Sequence, residues 1–471
     1  MGDGGSLMLH YFSNQALLSG EKPVGEIPRE QELYGRFLKL AWPSVVEAVL
    51  IGLVGMIDTL MVATLGDLAI AAVGITQQPK FVLMCVVFAL NVGITALVAR
   101  RRGEERREAA NHAMRNGLII GLVLSIIMSN IGFFLAEPFL RLAGAKNEYI
   151  SDAVIYFRII AVSIFFQCLN SLINAAQKGS GNSRISMTSN LAGNLVNVVF
   201  NYLLINGIGP FPRLEIRGAA IATALGAFVS FGVSAVRLFQ KKNYISFYCK
   251  APWRLDSEIL RPLFKVSLSA LVEQLCARVG FFLFNRVVAD LSNLAYTTHI
   301  ACMNILSLSF CFGDGFQVAS TALAGQSLGA KRPDLAMIFC KIGQRVVFFA
   351  ALLLSIVVIL FRKNIISLYS DTPEVVYMGS RVMLMIAVIT FIQMTQVIFA
   401  GCLRGAGDTR YTALTAMVSI GLVRPLAGWL LAFPLGLGLY GAWIGVGMDQ
   451  MSRLLMVGHR IRQKKWLAIR L

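Results

Sequence analysis

The sequence predicts an all-α integral membrane protein: twelve transmembrane helices in two six-helix bundles, related by a pseudo-twofold axis along the membrane normal. Three observations predict it. The 471 residues are 56% hydrophobic and 14% charged, with a mean hydropathy of +0.67, whereas soluble domains carry about 25% charged residues. The apolar residues gather into twelve runs long enough to cross a bilayer. The second half of the chain repeats the first at one constant offset.

The elements follow in chain order. Residues 1–35 form a polar tail of mixed charge, with no cleavable signal peptide visible in it. The first span, about 37–65, is almost wholly apolar but holds Pro43 and two acids, Glu47 and Asp58. An acid at mid-membrane costs roughly 2.5–3.5 kcal/mol on insertion scales, so one that is kept there reads as a proton or ion site facing a wet cavity. Spans at about 70–99, 116–136 and 150–177 are continuous apolar runs. The fifth, 184–208, carries Asn190, Asn194, Asn197 and Asn201 at spacing i, i+4, i+7, i+11, which puts all four within about 60° on one helical face. The sixth, 216–238, carries Thr223, and a polar linker, 239–262, follows. Six more spans run over about 263–289, 295–325, 343–361, 376–402, 411–434 and 440–460. The predicted organisation is a tail (1–35), a first lobe (36–238), the linker (239–262) and a second lobe (263–471) with a short basic end.

The net charge of +18 raises nucleic acid as a partner, but the position of the charge rejects it. With the N-terminus inside, the inner segments hold 31 of the 43 Lys and Arg; the outer loops hold six, Arg141, Lys146, Arg213, Arg217, Arg362 and Lys363. Six more, including Lys80, lie within or at the ends of spans. This is the positive-inside pattern, and it places both termini in the cytoplasm.

A shift of 226 residues lays FLKLAWPSVVE on LFKVSLSALVE, pairing Lys39 with Lys265 and Glu47 with Glu273. It also pairs Thr95 with Thr321, Gly103 with Gly329, and QKGSGNSR (177–184) with LRGAGDTR (403–410). After a three-residue deletion, Gly218 and Ala219 fall on Gly441 and Ala442. Each half has six spans, so both have the same orientation. Where the halves disagree, chemistry is expected. Asp58 falls on Phe284, and the four asparagines fall on Ala416, Ile420, Val423 and Ala427. The first half thus has a polar stripe that the second lacks. Amides in lipid must find partners, so the stripe, Asp58 and Thr223 are expected to line one pocket, or to tie helices together. Glu47 and Glu273 sit near the inner ends of their spans, where basic groups can pair with them. Arg278, Arg286, Asp314, Arg424 and Asp449 lie inside the second half and form ion pairs or line a cavity; sequence does not pair them.

Other classes lack their signatures. The eight cysteines contain no CxxC and the four histidines are isolated, so no metal or other cofactor is expected. There is no GxxxxGK[ST] loop, which disfavours ATP-driven transport, and no clustered nucleophile and base for an intramembrane enzyme. A channel is separated from a transporter by exchange stoichiometry. Eighteen methionines and thirty phenylalanines suit a cavity for varied apolar ligands.

Pro43, Asp58 within VGMIDTLMVATLGDLAIAAVG, the KGSGNSR turn, NLVNVVFNYLLI, RGAAIATALG and CLRGAGDTR together resemble the multidrug and toxic compound extrusion (MATE) family, over about 37–460. The resemblance implies a two-lobed antiporter that expels small organic, often cationic, drugs in exchange for H⁺ or Na⁺. Asp58, Asn197 and Thr223 match the first-lobe ion site of the DinF-like branch. Asn201 stands where that pattern has an acid, which leaves one pocket carboxylate and weakens the case for Na⁺. In the NorM-like branch the essential acids lie in helices seven and ten; here the tenth span has no interior acid, and Glu273 lies about one turn early. The expected ion site is Asp58, Asn197, Asn201 and Thr223. The expected substrate-cavity residues are Asn190, Asn194, Glu273 and Asp314, and Pro43 is the expected flex point. A monomer in the cell membrane is expected. The alternative is a flippase for a lipid-linked sugar or peptidoglycan precursor, which would show a basic cavity and extra terminal helices.

Overall fold

The computed structural model describes residues 23–370 and 372–469, and only the backbone of Asp67. The first 22 residues of the expected polar tail therefore lie outside the described residues. Every regular element among the described residues is helical. The first half contains α1 (Glu30–Ala63), α2 (Asp67–Ile75), α3 (Gln77–Gly103), α4 (Arg107–Phe134), a short α5 (Ala136–Leu142), α6 (Ile150–Gly179), α7 (Ser183–Asn206) and α8 (Glu215–Leu238). The second half contains α9 (Ser257–Ala289), α10 (Asn293–Gly329), α11 (Pro333–Ser367), α12 (Pro373–Ala406), α13 (Thr409–Val418), α14 (Arg424–Ala432) and α15 (Gly438–Arg462).

Ten of these spans are long and apolar enough to cross a membrane, with α2 and α3 acting as one span and α13 and α14 as another. The remaining two, α7 and α15, have 24 and 25 residues, long enough to cross at 1.5 Å per residue. Their hydropathy is lowered by the asparagine stripe and by Asp449 and Arg453. The fold is thus one of twelve transmembrane helices in two bundles. Leu60, Leu195, Phe282 and Leu353 are among the exposed large apolar side chains, surface suited to an apolar surrounding. Several helices run past the apolar spans: α4 begins at Arg107, nine residues before the span expected from 116.

The eleventh span is interrupted. A π-helical turn, Ser419–Val423, separates α13 from α14. Pro425 lacks the N–H that would continue the i→i−4 ladder, so the turn widens there. Sharp reversals join α6 to α7 and α12 to α13, at Gly181 (φ 91°) and Gly407 (φ 88°). These are left-handed conformations that glycine adopts without strain, and the two glycines are equivalent under the 226-residue shift.

The chain forms two compact units, one of residues up to Val45 and from Val272 onward, the other of Val46–Leu271. These units cut across the 36–238 and 263–471 lobes read from the repeat, because the breaks fall inside α1 and α9. Each passes from one unit to the other partway along, at positions that the same shift relates. In the Val46–Leu271 unit, Leu90, Ile94, Met114, Phe157 and Leu172 form the main core, and Ile259 and Leu263 at the start of α9 complete it. In the other unit, Leu33, Phe37 and Ala41 of α1 pack with Phe316, Ile338 and Met394, and a second cluster surrounds Phe284, Leu306 and Trp443.

One contact positions the polar stripe. Gly193 of α7 lies so close to α8 that a Cβ there would stand 1.8 Å from Ser230 Oγ and 2.4 Å from the Gly226 carbonyl oxygen. Two facing glycines let the backbones meet, the small-residue packing that membrane helices favour. One turn later, this brings Asn197 against Thr223.

Candidate functional site

Asp58 lies in the last two turns of α1, half-buried, in the Val46–Leu271 unit. Asn201 Nδ2 donates to its Oδ1 at 2.6 Å. With the Asn197 amide oriented to satisfy both neighbours, its nitrogen donates to Asp58 Oδ1 at 2.9 Å and Oδ2 at 3.3 Å. Its oxygen then accepts from Thr223 Oγ1 at 3.2 Å and from the Thr223 backbone N–H at 3.3 Å. Thr223 Oγ1 also lies 3.0 Å from the Ala219 carbonyl. The structure therefore brings Asp58, Asn197, Asn201 and Thr223 into one network across α1, α7 and α8. Asn197 and Asn201 are buried, at 6% and 1% exposure, so amide and carboxylate meet out of bulk water, where a charge-assisted hydrogen bond is strong.

Two further residues reach this carboxylate. Lys80 of α3 and the buried Tyr156 of α6 lie within electrostatic range of Asp58. Lys80 is visible in the sequence as a lone charge near the start of the second span. Tyr156 gives no sequence signal, because one tyrosine in an apolar run looks like packing.

The asparagine stripe divides between two carboxylates. Asn190 belongs to Glu47, not Asp58. Its Nδ2 donates to Glu47 Oε1 at 2.7 Å, and its Oδ1 accepts from Asn170 at 2.9 Å. The same Glu47 oxygen takes Lys178 Nζ at 3.0 Å and Ser186 Oγ at 2.8 Å. Asn194 lies between the two groups, with its buried amide nitrogen unpartnered.

Glu273 repeats the Glu47 arrangement. It binds Arg404, and its Oε2 accepts from Thr412 Oγ1 at 3.0 Å. Under the 226-residue shift Lys178 becomes Arg404 and Ser186 becomes Thr412. Both carboxylates thus hold the cation of a Gly-rich turn and a hydroxyl just beyond it. Both also stand two residues after the point where their helix enters its unit. This pairing is legible once the repeat is aligned, since acid and base shift together.

The second half is not without a polar interior. Glu273, Asp314, Gln396, Arg404, Thr412 and Arg453 share a cavity of about 290 Å³. Its polar groups come from α9, α10, α12, α13 and α15, whereas the first-half stripe lies on one helix, so comparing single spans does not find it. Beside it, Asp449 joins two guanidiniums: Arg424 Nη2 at 2.6 Å and Arg453 Nη2 at 3.1 Å. Arg424 also lies 4.5 Å over the Phe281 ring. Arg286 instead pairs with Asp290 at an exposed position, 3.3 Å away. Pro43 sits inside α1, two residues before the chain changes unit. Among the described residues no group of three or more His, Cys, Asp or Glu can hold a metal ion.

The MatE family model matches the chain twice, over residues 43–203 and 270–430. A protein of Bacillus subtilis described as an uncharacterized transporter, YisQ, is 25% identical over 91% of this chain and 94% of its own. A probable multidrug resistance protein NorM of Thermotoga maritima is 26% identical over 93% of each, and the multidrug resistance protein MdtK of Yersinia enterocolitica is 26% identical over 91% and 94%. Among solved structures, MATE in the bent conformation superposes with a TM-score of 0.84 over 96% of this chain and 98% of its own, at 21% identity. An outward-facing MATE family transporter of the MOP superfamily gives 0.86 at 20% identity, over the same shares. The double family match falls one copy in each half of the repeat, and on it the chain is a membrane transporter of the MatE family.

Proposed function

We propose that this protein is a secondary active exporter of small organic compounds, with Asp58 taking up the driving ion, a proton, and the Glu273–Asp314 cavity receiving the exported compound. Family membership and the relatives named as multidrug resistance proteins support export. The observation that carries the proton reading is the donor set at Asp58. Two amide nitrogens already point at its oxygens, and Lys80 lies within electrostatic range. A metal cation needs several oxygen ligands; a proton needs one lone pair.

The network also gives protonation a readout. While Asp58 is ionised, Asn197 turns its nitrogen to the carboxylate and its oxygen to Thr223. A protonated Asp58 presents an O–H donor and requires an acceptor. Asn197 meets it by reversing its amide, and its nitrogen then donates to Thr223 Oγ1 at 3.2 Å. The hydroxyl hydrogen turns to the Ala219 carbonyl. A proton arriving on α1 is thereby registered on α8 through α7, and it changes what holds the second part of α1 to its unit. Pro43, where the helix ladder lacks one bond, is the place for α1 to flex. Such a two-state element, biased by protonation, is what alternating access requires. In this reading the protein is a monomer in the cell membrane with both termini cytoplasmic.

Everted vesicles given a fluorescent cationic dye in the medium test the coupling, because export there is uptake into the lumen. Uptake by the wild type follows an imposed pH gradient and not an imposed Na⁺ gradient. Asp58→Asn abolishes the pH-driven flux while dye binding persists. Full pH-driven efflux by D58N would falsify the assignment.

A further inference from the structure

The 239–262 linker is strapped to α4 by a row of polar side chains at one-turn intervals. Arg107 donates to the carbonyls of Asn243 (2.7 Å) and Tyr244 (3.0 Å). Asn111 accepts from the Ser246 backbone N–H at 2.8 Å and donates to the Tyr244 carbonyl at 3.0 Å. Arg115 donates to the carbonyls of Cys249 (2.8 Å), Phe247 (3.0 Å) and Ala251. Asn116 accepts from the Asp256 N–H at 3.0 Å. The linker is therefore a built element, not a loose tether.

Its other side roofs a wholly apolar cavity of about 330 Å³ beneath α4, α6 and α8, walled by Leu122, Leu169, Phe231, Phe239, Phe247 and Trp253 among others. The rings of the roof are in contact: Phe239 with Phe247 at 5.1 Å and Phe247 with Trp253 at 5.4 Å. Phe239, Tyr248 and Trp253 are nevertheless more than half exposed. Exposed aromatic rings at the end of a membrane bundle belong at the headgroup level.

The charge on the segment that roofs this cavity is mostly positive. Residues 237–262 hold six basic side chains and two acidic ones. Arg115 is 4% exposed, and carbonyl oxygens and the Trp253 ring, 4.8 Å away, surround it. Its Nε has no hydrogen-bond partner, and among the described residues neither it nor Arg107 forms an ion pair with a carboxylate. A buried positive charge without a counter-ion is costly. Lys241, Lys242, Lys250 and Arg254 add to the field on the same segment.

We propose that this cavity is a binding site for an anionic phospholipid: one acyl chain fills the apolar space under the roof, and the phosphate sits among Lys241, Lys242 and Lys250. The occupant is amphiphilic because the cavity is lined only by apolar side chains and the segment that roofs it is basic, and anionic because that segment lacks the negative charge to balance itself. A lipid bound there holds the strap, and with it the cytoplasmic ends of α4, α6 and α8, in one arrangement.

The test uses the full-length protein in detergent, with dibrominated phosphatidylglycerol or dibrominated phosphatidylcholine as quencher of tryptophan fluorescence. The component belonging to Trp253 is defined as the quenching lost in Trp253→Phe. Phosphatidylglycerol should occupy the site at concentrations at least about fivefold lower than phosphatidylcholine, as expected from even one basic contact to an anionic lipid. Lys241→Gln, Lys242→Gln and Lys250→Gln combined should bring the two lipids to parity, and Ala235→Phe should remove the Trp253 component for both by filling the cavity. The three glutamines leave the Arg107–Asn116 clamp untouched, so the headgroup arm stands even if the filled variant does not fold. Equal quenching by the two lipids in the wild type, or an undiminished preference in the triple variant, overturns the proposal.

Discussion

Asn201→Asp would restore a second acid to the Asp58 pocket, and its consequence can be worked from the geometry. The Asn201 amide nitrogen and Asp58 Oδ1 are 2.6 Å apart. Replacing the amide by a carboxylate sets two oxygens at that separation, with charge centres about 4 Å apart. At an effective dielectric of about 20, two like charges at that distance repel by about 4 kcal/mol. An empty, doubly ionised pocket is thus disfavoured by about a thousandfold. The pocket must share a proton or bridge a cation. Two carboxylates, the Asn197 carbonyl and the Thr223 hydroxyl would supply an oxygen cage of the kind that hard cations take. If a bridging Na⁺ recovers about one third of the repulsion, Na⁺ should stimulate dye efflux about tenfold at alkaline pH, where the wild type shows no stimulation. The assay is dye uptake into everted vesicles, the export direction there, at fixed membrane potential, with Na⁺ or a large organic cation as the balancing salt. An N201D protein that folds, transports and ignores Na⁺ as the wild type does would refute the reasoning, since the two side chains could not then share a pocket.

Thr223→Val removes the hydroxyl that Asn197 uses in both amide orientations; the loss of about 1 kcal/mol of hydrogen bonding should slow pH-driven efflux about fivefold while dye binding is unchanged. Glu47→Ala and Glu273→Ala each strand a partly buried cation and a hydroxyl, so each should cost about 1–3 kcal/mol, read as similar drops in Tm in detergent, with Gln recovering part of each. A stable E273A that lost only efflux would show that this carboxylate serves the cavity alone. Gly193→Val forces α7 off α8 and should destabilise by about 1–3 kcal/mol or more, scored by thermal unfolding. Gly232→Ala, in the same pair of helices but facing open space, should instead stabilise by about 0.5–1 kcal/mol.

Two features mark the boundary between what residue order reveals and what it hides. The Asp58 network was legible because an acid in an apolar run and amides at helical spacing are both departures from the background, and because the repeat showed that the second half lacked them. The division of the stripe was not. Asn190, Asn194, Asn197 and Asn201 share one face of α7, and spacing cannot say that its lower part meets Glu47 and its upper part Asp58. That depends on where α1 crosses α7. The mixed-charge cavity of the second half was hidden for a related reason: each of five helices contributes only one or two of its polar groups, so no single span looks polar.

The sequence by itself determined the membrane class, the twelve spans and the duplication. All of these are written in hydropathy and charge along one dimension. Tertiary structure alone decided that α1 and α9 each belong partly to both compact units, that Lys80 and Tyr156 attend Asp58, and that the linker is a clamped roof over an apolar cavity. A helix's period fixes which residues share its face. Which face meets which neighbour is settled only when backbones approach closely enough, as at Gly193 and Gly226, for buried polar groups to find partners they cannot do without.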